Sequence, residues 1–444
     1  MIRLPGVVFA TLGLVLGSSS AAAAPDGPPP LTAAAREAIV EDIAAALEAV
    51  YVFPESATAM QAHLRQQLSS GAYDAVTTLP AFAERLTEDL QEVSRDKHLR
   101  VHPTPPLPAG ATEGPSEEER RARFAAALRR DNYCFRRLEQ LEGNVGYLRL
   151  DCFAPADLGG ATATAAMGFL AGSDALIFDL RNNGGGSPSM IQLLTSYLLP
   201  GEPTHLNSFY IRREDTTQQF WTQAWVPGPR LAEVPMFVLT SSRTFSAAEE
   251  FTYNLKSLER ATIVGETTGG GAHPVSEHRV EGYDLAVALP FGRAINPVTR
   301  TNWEGTGVDP DVPVAADQAL DVAHARALTL VAERTDDPEV AAHVGFIARS
   351  LADRARAIEL SPEQLAAYTG SYGPRVVTLD GGTLYYRRGE GRERPLVPVG
   401  EDQFLLGEMN DFRLRFERGP GGAVVRLVGI YPDGREEPNE RSGG

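Results

Sequence analysis

The chain has 444 residues, more than one hydrophobic core usually contains, so two or three domains are expected. Hydrophobic residues make up 43% and charged residues 22%, proportions typical of a folded, soluble protein. The formal net charge of −17 repels phosphate backbones and anionic lipid headgroups, which argues against nucleic acid or a membrane surface as the main partner.

The first 24 residues have the three parts of a secretory signal peptide. Basic Arg3 precedes an apolar run from Val7 to Leu16, and the small-residue stretch from Ser18 to Ala24 contains Ala-x-Ala. The apolar run is too short to cross about 30 Å of hydrocarbon, and no later segment reaches the necessary length, so no membrane span is predicted. The product is therefore predicted to be periplasmic or secreted.

Two cysteines, Cys134 and Cys152, are the only ones in the chain. Export would place them in an oxidising compartment, which makes them candidates for one disulfide. Two buried free thiols are the alternative.

Helical spacing dominates the segment after the signal peptide. Apolar residues recur at Ile39, Ile43 and Leu47, and again at Phe82, Leu86 and Leu90. Residues 31–100 are therefore predicted to form an N-terminal helical domain. The Pro-rich stretch from Pro103 to Pro115 and the charge run from Glu117 to Arg121 predict an exposed linker over residues 101–125.

From residue 126 to residue 330 short apolar runs alternate with helical stretches, which predicts an α/β core with largely buried strands. The predicted strands are Val145–Leu150, Ala175–Leu180, Met236–Thr240 and Thr262–Val264, and the predicted helices are Ser187–Leu199 and Ala247–Leu258. Residues 331–361 are predicted to be a helical connector. Residues 362–444 are rich in turns and contain alternating apolar residues, so a small β domain is predicted there.

One glycine-rich segment follows a predicted strand and precedes a predicted helix: Asp179-Leu180-Arg181-Asn182-Asn183-Gly184-Gly185-Gly186-Ser187. Glycines permit close backbone approach, and N–H groups beside a helix N-terminus suit an anion or an oxyanion. A phosphate-binding loop is disfavoured, because the Walker lysine and the spaced dinucleotide glycines are both missing. A tight strand-to-helix turn is the structural alternative.

A serine occupies the start of the next strand-to-helix unit, in Thr240-Ser241-Ser242-Arg243-Thr244-Phe245-Ser246-Ala247-Ala248-Glu249-Glu250-Phe251. The helix N-terminus there favours negative charge developing on Ser246. Serine is also a preferred N-cap, so Ser246 has a purely structural interpretation as well.

Together these segments resemble the tail-specific protease or C-terminal processing peptidase family, which includes the tricorn core and interphotoreceptor retinoid-binding protein repeats. Three further segments carry the resemblance: Gly146-Tyr147-Leu148 with Phe153, Ile263-Val264-Gly265-Glu266-Thr267-Thr268-Gly269-Gly270-Gly271, and Asn302-Trp303-Glu304-Gly305-Thr306-Gly307-Val308-Asp309-Pro310-Asp311-Val312. The resemblance extends over roughly residues 30 to 330. It implies a crotonase-like α/β catalytic core and serine peptidase activity.

The family activates its serine either with a lysine in the glycine loop or with a histidine assisted by a glutamate. The lysine position is occupied by Gly271, and Lys256 is ten residues along the nucleophile helix, roughly 15 Å from the serine. The histidine branch fits instead. Asp96-Lys97-His98-Leu99 resembles its Asp-Gly-His-Thr segment, and Glu304 matches its acidic partner.

The segment departs from the family pattern at Lys97 and Leu99, on either side of His98, so the local turn there differs in sequence from that of the family. His102 and His273 are rival bases, and His273 could instead shape the substrate cleft. A PDZ-like insert does not fit between His98 and Val145, which again favours the retinoid-binding-protein-like and tricorn-like branch.

The resemblance implies hydrolysis of peptide bonds in unstructured or C-terminal segments, with Ser246 as nucleophile, His98 as base and Glu304 as its support. Backbone N–H groups of Gly185 and Ala247 are the expected oxyanion donors. No cofactor or metal is predicted, because the eight histidines are scattered without a His-Glu-x-x-His helix or a cysteine cluster.

Two other functions are compatible with an α/β core of this kind. A non-catalytic carrier of an apolar ligand is the alternative on the same fold, although a carrier has no need of a serine, a histidine and a glutamate together. An acyl-CoA enzyme is disfavoured by the predicted export. The C-terminal β domain is expected to restrict access or help dock substrate, with passive stabilisation as the alternative.

Overall fold

The structure, a computed structural model, describes residues 31–105 and 116–442. The predicted signal peptide lies outside the described residues, as does most of the Pro-rich stretch. The structure contains both helices and several β-sheets, which confirms the predicted mixed α/β organisation. None of the helices within the described ranges is long and apolar enough to cross a membrane.

Three helices form the N-terminal region: α1 Ala33–Val50, α2 Pro54–Ser69 and α3 Leu79–Ser94. Thr32 and Thr78 cap α1 and α3 by accepting hydrogen bonds from backbone N–H groups, a role that threonine performs well. The helices share a core with a three-stranded antiparallel sheet in the order β1-β10-β9, made of β1 Arg100–Pro103, β9 Val275–Arg279 and β10 Leu285–Pro290. The helical region is therefore packed directly on strands from the second half of the chain.

The predicted linker differs from the structure at both of its ends. Arg100 to Pro103 form β1, and Glu117–Arg130 form a helix, α4, which crosses the predicted boundary at residue 125. Ser116 and Glu119 make reciprocal hydrogen bonds in a capping box at its start. Interpreting the charge run as an exposed loop was wrong, because its acidic residues form the first helical turn, where the helix dipole favours negative charge.

The central sheet has six strands in the order β12-β8-β7-β4-β3-β2, with only β2 antiparallel to its neighbour. Its strands are β2 Phe135–Leu141, β3 Val145–Leu150, β4 Ala175–Asp179, β7 Met236–Thr240, β8 Thr262–Gly265 and β12 Val312–Pro313. One face packs on α5 Ala156–Leu170, α6 Pro188–Leu198 and α7 Ala247–Ser257. The other face packs on α8 Ala319–Arg334 and α9 Pro338–Arg354.

A third sheet has the order β11-β5-β6, with β5 His205–Ile211, β6 Thr216–Trp221 and β11 Gly292–Ile295. A disulfide joins Cys134 and Cys152, whose Cα atoms are 5.3 Å apart. These two residues flank the β2–β3 hairpin, so the disulfide closes its open end. Of the two alternatives for these cysteines, the structure has the disulfide.

The C-terminal segment, for which a small β domain is predicted, begins with the short helix α10 Pro362–Ala366 and continues as one eight-stranded antiparallel sheet. Its strands in spatial and chain order are β13 Gly370–Tyr372, β14 Arg375–Asp380, β15 Thr383–Arg388, β16 Arg394–Gly400, β17 Gln403–Leu406, β18 Met409–Arg418, β19 Val424–Ile430 and β20 Glu436–Glu440. Tyr372 pairs with Arg441, and the N–H of Ser442 donates to the carbonyl of Ser371. The first strand thus meets the end of the last, which closes the sheet into a barrel with an aromatic-rich interior.

The barrel is attached at the edge of the central sheet where β3 begins. Asn410 donates to a carboxylate oxygen of Glu142, in the turn before β3, at 2.8 Å. Arg413 donates to the hydroxyl of Ser350 on α9 at 3.0 Å. The loops that follow β4, β7 and β8 leave from the opposite, carboxyl edge of the same parallel strands. The barrel therefore lies away from those loops.

Candidate active site

Carboxyl ends of the parallel strands carry the glycine-rich segment and the segment with the predicted nucleophile, at the edge where open α/β sheets commonly bind ligands. Buried Asn183 organises the glycine-rich loop, because its side chain donates to the carbonyl of Leu150 and accepts the N–H of Gly185, each at 2.9 Å. The N–H of Phe245 donates to the carbonyl of Asn183 at 3.0 Å. The two loops are thereby fixed against each other.

Gly185 must be a glycine for this contact. Its φ is +116°, and a Cβ there would lie 2.8 Å from the Cβ of Ser246. The glycine-rich segment therefore approaches the predicted nucleophile closely, as expected. Its predicted role as an oxyanion donor meets a competing interaction, since the N–H of Gly185 already donates to Asn183.

Ser246 lies immediately before α7 with φ +56° and ψ −122°. A non-glycine residue with this backbone is strained by about 1–3 kcal/mol, and such strain is concentrated at functional sites. The following residue, Ala247, is the first of the helix, where a backbone N–H has no acceptor within the helix. The serine oxygen therefore lies beside a helix N-terminus, where negative charge is stabilised.

Glu249 connects Ser246 to the second glycine loop, a role not anticipated from the sequence. Its fully buried carboxylate accepts four hydrogen bonds, from the N–H of Ser246 at 2.8 Å, the hydroxyl of Thr268 at 2.5 Å, and the N–H groups of Gly270 at 2.6 Å and Gly271 at 2.9 Å. Burial raises the pKa of Glu249, although these four donors oppose the shift. The side chain sets the distance between two loops that both contribute to the site.

His98 packs against the residue that precedes the nucleophile. Its ring centroid lies 4.6 Å from that of Phe245. Both ring nitrogens are buried, and neither has a hydrogen-bond partner among the described residues. A Cβ on Gly271 would lie 2.2 Å from the Phe245 ring and 2.6 Å from the His98 ring. The glycine at the position of the lysine branch therefore provides the space that this stack occupies.

The turn around His98 forms despite the departures from the family pattern. A carboxylate oxygen of Asp96 accepts the N–H of His98 at 3.0 Å, and Leu99 is buried in the N-terminal core. Lys97 donates to the carbonyl of Gly269, so a lysine does approach the glycine loop, which was not expected. Lys256 instead forms an ion pair with Asp311 at 3.0 Å.

Two carboxylates and a second imidazole surround His98. Ligand atoms of Asp96, His98 and Glu304 lie within 4.8 Å of one another. Nδ1 of buried His273 lies 2.6 Å from Oδ2 of Asp96 and 3.5 Å from Oε2 of Glu304. The predicted partners His98 and Glu304 are thus neighbours. The imidazole that forms an ion-pair contact with the Glu304 carboxylate, however, is that of His273.

Charges in this cluster shift one another's pKa values. Burial lowers the pKa of His98 to about 4, and the positive charge of His273 acts in the same direction. Burial and the charge of Asp96 raise the pKa of Glu304 to about 7, against the opposing charge of His273. Burial alone would lower the pKa of His273, but its hydrogen bond to Asp96 and the charges of Asp96 and Glu304 raise it. The arrangement holds His98 neutral at pH 7, the form in which an imidazole accepts a proton.

Metal chemistry was considered for the same cluster, because carboxylates and imidazoles also bind divalent cations. Within residues 31–105 and 116–442 two groups of three such side chains occur, this one and His63 with Asp89 and Glu92. Both oxygens of Asp96 and one of Glu304 are already engaged in hydrogen bonds. The atoms of the cluster that remain without a hydrogen-bond partner among the described residues are both ring nitrogens of His98 and Oε1 of Glu304.

Glu250, beside Glu249 on α7, is a second buried carboxyl group that the sequence did not reveal as unusual. Burial raises its pKa to about 7, and the nearby side chain of Asn207 acts in the opposite direction. The pKa of this carboxyl group is therefore higher in the folded protein, about 7, than in the unfolded chain, about 4.5. Because the folded state then holds the proton more tightly, the protein loses stability as the pH rises from about 4.5 to about 7. At about 1.4 kcal/mol per pH unit the loss is about 3 kcal/mol.

We expect Glu250→Gln, which keeps the side chain neutral, to be more stable than the wild type at pH 8 by about 2–3 kcal/mol and equally stable at pH 4. Urea unfolding at both pH values measures the difference. Glu259→Gln, at an exposed carboxylate just beyond α7, should show neither effect. A Glu250→Gln advantage of equal size at both pH values would contradict the assignment.

Comparison with known proteins connects this geometry to a family. The profile of peptidase family S41 matches residues 144–314, and the profile of the N-terminal domain of S41 peptidases in eukaryotic IRBP matches residues 31–138. The first stretch contains Ser246 and Glu304, and the second contains His98. Both matches are to peptidase family S41, a class of serine-type peptidases.

Several solved structures are similar to the chain. The photosystem II D1 C-terminal processing protease is 25% identical, with 39% of this chain and 43% of that protease covered and a TM-score of 0.33. A lipoprotein from Streptococcus agalactiae is 18% identical over 63% of this chain and 92% of its own, with a TM-score of 0.40. The tricorn protease is 15% identical over 67% and 37%, with a TM-score of 0.41. The chain thus spans less than half the length of two of these proteins. None of the three scores reaches 0.5, so the assignment depends on the family profiles.

Proposed function

We propose that the protein is an exported serine peptidase that cleaves unstructured or C-terminal peptide segments with Ser246, His98 and Glu304. The observation that carries the proposal is a buried imidazole without a hydrogen-bond partner, that of His98, packed against Phe245, the residue directly before strained Ser246. Export is supported by the disulfide between Cys134 and Cys152, since such bonds persist in oxidising compartments.

In the proposed reaction Oγ of Ser246 attacks the carbonyl carbon of the peptide bond while His98 accepts the hydroxyl proton. His98 then gives that proton to the leaving amine, and water hydrolyses the acyl-enzyme by the same route. Ionised Glu304, close to His98, stabilises the imidazolium that forms in each half-reaction. Activity should therefore rise as Glu304 loses its proton near pH 7.

The negative oxygen of the tetrahedral intermediate is assigned to the N–H groups of Ala247 and Gly185. Ala247 supports this assignment directly, because its N–H is at the start of α7. Gly185 lies against Ser246, but its N–H must be shared with Asn183 or released from it when the intermediate forms. Ala247 is accordingly the primary donor in this mechanism.

A fluorophosphonate probe tests the proposal, because it reacts only with an activated serine. We expect covalent labelling of the mature protein, with the adduct found on Ser246 by peptide mass spectrometry, together with cleavage of an unstructured peptide. A carrier of apolar ligands would stay unlabelled and bind a lipophilic fluorophore instead. That combination of results would replace the peptidase proposal with the carrier.

A further inference from the structure

Buried His273 lies where three distant parts of the chain meet. Asp96 comes from the turn between α3 and β1, His273 from the loop before β9, and Glu304 from the segment before β12. The His273 side chain is only 5% exposed, and its ring also packs edge-on against Phe53 at 5.5 Å. An imidazole in this position has contacts that fix both its location and its orientation.

The carboxylates of Asp96 and Glu304, which both lie beside His273, each have one oxygen near His273 and a second oxygen that can serve His98. Asp96 accepts the backbone N–H of His98 with one oxygen and lies 2.6 Å from Nδ1 of His273 with the other. Glu304 accepts the N–H of Ala272 with Oε2, the same oxygen that lies 3.5 Å from His273. Its other oxygen, Oε1, is buried without a partner among the described residues. The free oxygen of Glu304 is thus available to His98.

Two buried carboxylates at such short range repel each other unless one of them takes up a proton or a cation lies between them. The ionisable groups facing His273 are the following: Asp96 and His98 from the turn after α3, Glu304, Arg293 on β11, and Tyr51 just after α1, whose hydroxyl donates to Asp96 at 3.3 Å. When it is protonated, His273 is a cation within ion-pair distance of both carboxylates.

We propose that His273 is a positioning residue, whose imidazolium lies between the carboxylates of Asp96 and Glu304 and holds both of them against His98. The inference depends on the proposed function, because its consequence is the orientation of the base. His273 itself touches no reacting atom in this scheme. Its charge lowers the pKa of Glu304 and so keeps the supporting carboxylate ionised at lower pH.

Two substitutions separate the hydrogen bond from the charge. His273→Asn retains an N–H that can donate to Asp96 but carries no charge, and His273→Phe keeps the ring against Phe53 but removes both. We expect the rate constant of fluorophosphonate labelling to fall about tenfold in His273→Asn and about a hundredfold in His273→Phe, the size of effect that follows from a misplaced catalytic group. For a peptide substrate kcat should fall while KM changes little.

The pH dependence of the labelling rate shows whether His273 positions the carboxylates through its charge. Without the cation Glu304 keeps its proton to higher pH, so the acidic limb of the labelling profile should move upward in both variants. His102→Asn is the matched control, because His102 forms a similar pair with Glu277 at 2.6 Å but is more than one-third exposed and lies outside the site. That control should keep the wild-type rate and profile.

The inference is overturned if both variants, folded by their thermal melting, are labelled at the wild-type rate or lose rate equally at every pH. Absence of labelling in the wild type would contradict the proposed function instead. In that case ¹⁵N NMR of the histidine side chains still decides the inference, because loss of the His273 charge and of the carboxylate positions that it holds must change the titration of His98. An unchanged His98 titration in His273→Asn would exclude the coupling.

Discussion

Ser246→Ala should lower the rate of peptide hydrolysis by about 10⁵–10⁶-fold, because removal of a nucleophile leaves only the residual effect of binding and oxyanion stabilisation. Fluorophosphonate labelling should disappear, since the reactive oxygen is gone. Thermal melting should stay close to that of the wild type, because the serine hydroxyl contributes little to packing. Rates of cleavage and labelling, measured beside a melting curve, test all three expectations.

Ser246→Gly adds a test of the strained backbone. Glycine adopts φ +56° without a steric penalty, so this variant should be equally inactive and more stable than Ser246→Ala by about 1 kcal/mol. Ser242→Ala, at an exposed serine of the same loop, serves as the control and should remain active. Substantial turnover by Ser246→Ala would remove this serine from the catalytic role.

Short motifs on contiguous segments were enough to predict Ser246 as nucleophile and His98 as base, and these roles stay predictions. Ser246 and His98 each lie in a short motif that can be identified from a single sequence. Because Gly271 stands where the lysine branch has its base, the sequence favoured a histidine base. The strands at Val145–Leu150 and Met236–Thr240 have the predicted bounds, because buried parallel strands are continuous apolar runs.

Contacts between distant segments were not predictable in the same way. Glu249 looked like an ordinary residue of the first helical turn, and its four donors come from two loops whose approach depends on the packed sheet. His273 was considered only as a rival base or a cleft residue, since its pairing with Asp96 spans 177 positions of the chain. Strand β1 was not predicted, because its four residues form a strand only by pairing with the distant strand β10.

The barrel illustrates the limit of predicting a role from a local pattern. Its strands could be anticipated from alternating apolar residues, but its place in the molecule could not. Attachment through Glu142 and α9 puts it at the edge of the sheet opposite the catalytic loops. This position favours the alternative of passive stabilisation over control of substrate access, although substrate docking at a distance stays a prediction.

Glu249→Gln is expected to impair both stability and reactivity, although it changes a single atom. The amide oxygen can still accept from two donors, but the amide nitrogen would face the other two with hydrogens of its own. These two are the N–H groups of Ser246 and Gly271 in one amide orientation, and the Thr268 hydroxyl and the N–H of Gly270 in the other. Leaving buried donors unpaired costs about 1–3 kcal/mol each, so we expect a loss of about 2–4 kcal/mol in the free energy of unfolding. Glu249→Ala, which leaves all four donors without the carboxylate, should lose about 3–5 kcal/mol.

Reactivity should fall with stability, because the same carboxylate holds the N–H of Ser246 and the Gly271 loop that accommodates His98. We expect folded Glu249→Gln to react with a fluorophosphonate about a hundredfold more slowly than the wild type. Glu250→Gln is the matched control, since it makes the same chemical change one residue away at a carboxyl group that burial already favours as neutral. Urea unfolding and labelling rates at pH 7 distinguish the two. If Glu249→Gln is as stable and as reactive as Glu250→Gln, the four hydrogen bonds do not position the nucleophile.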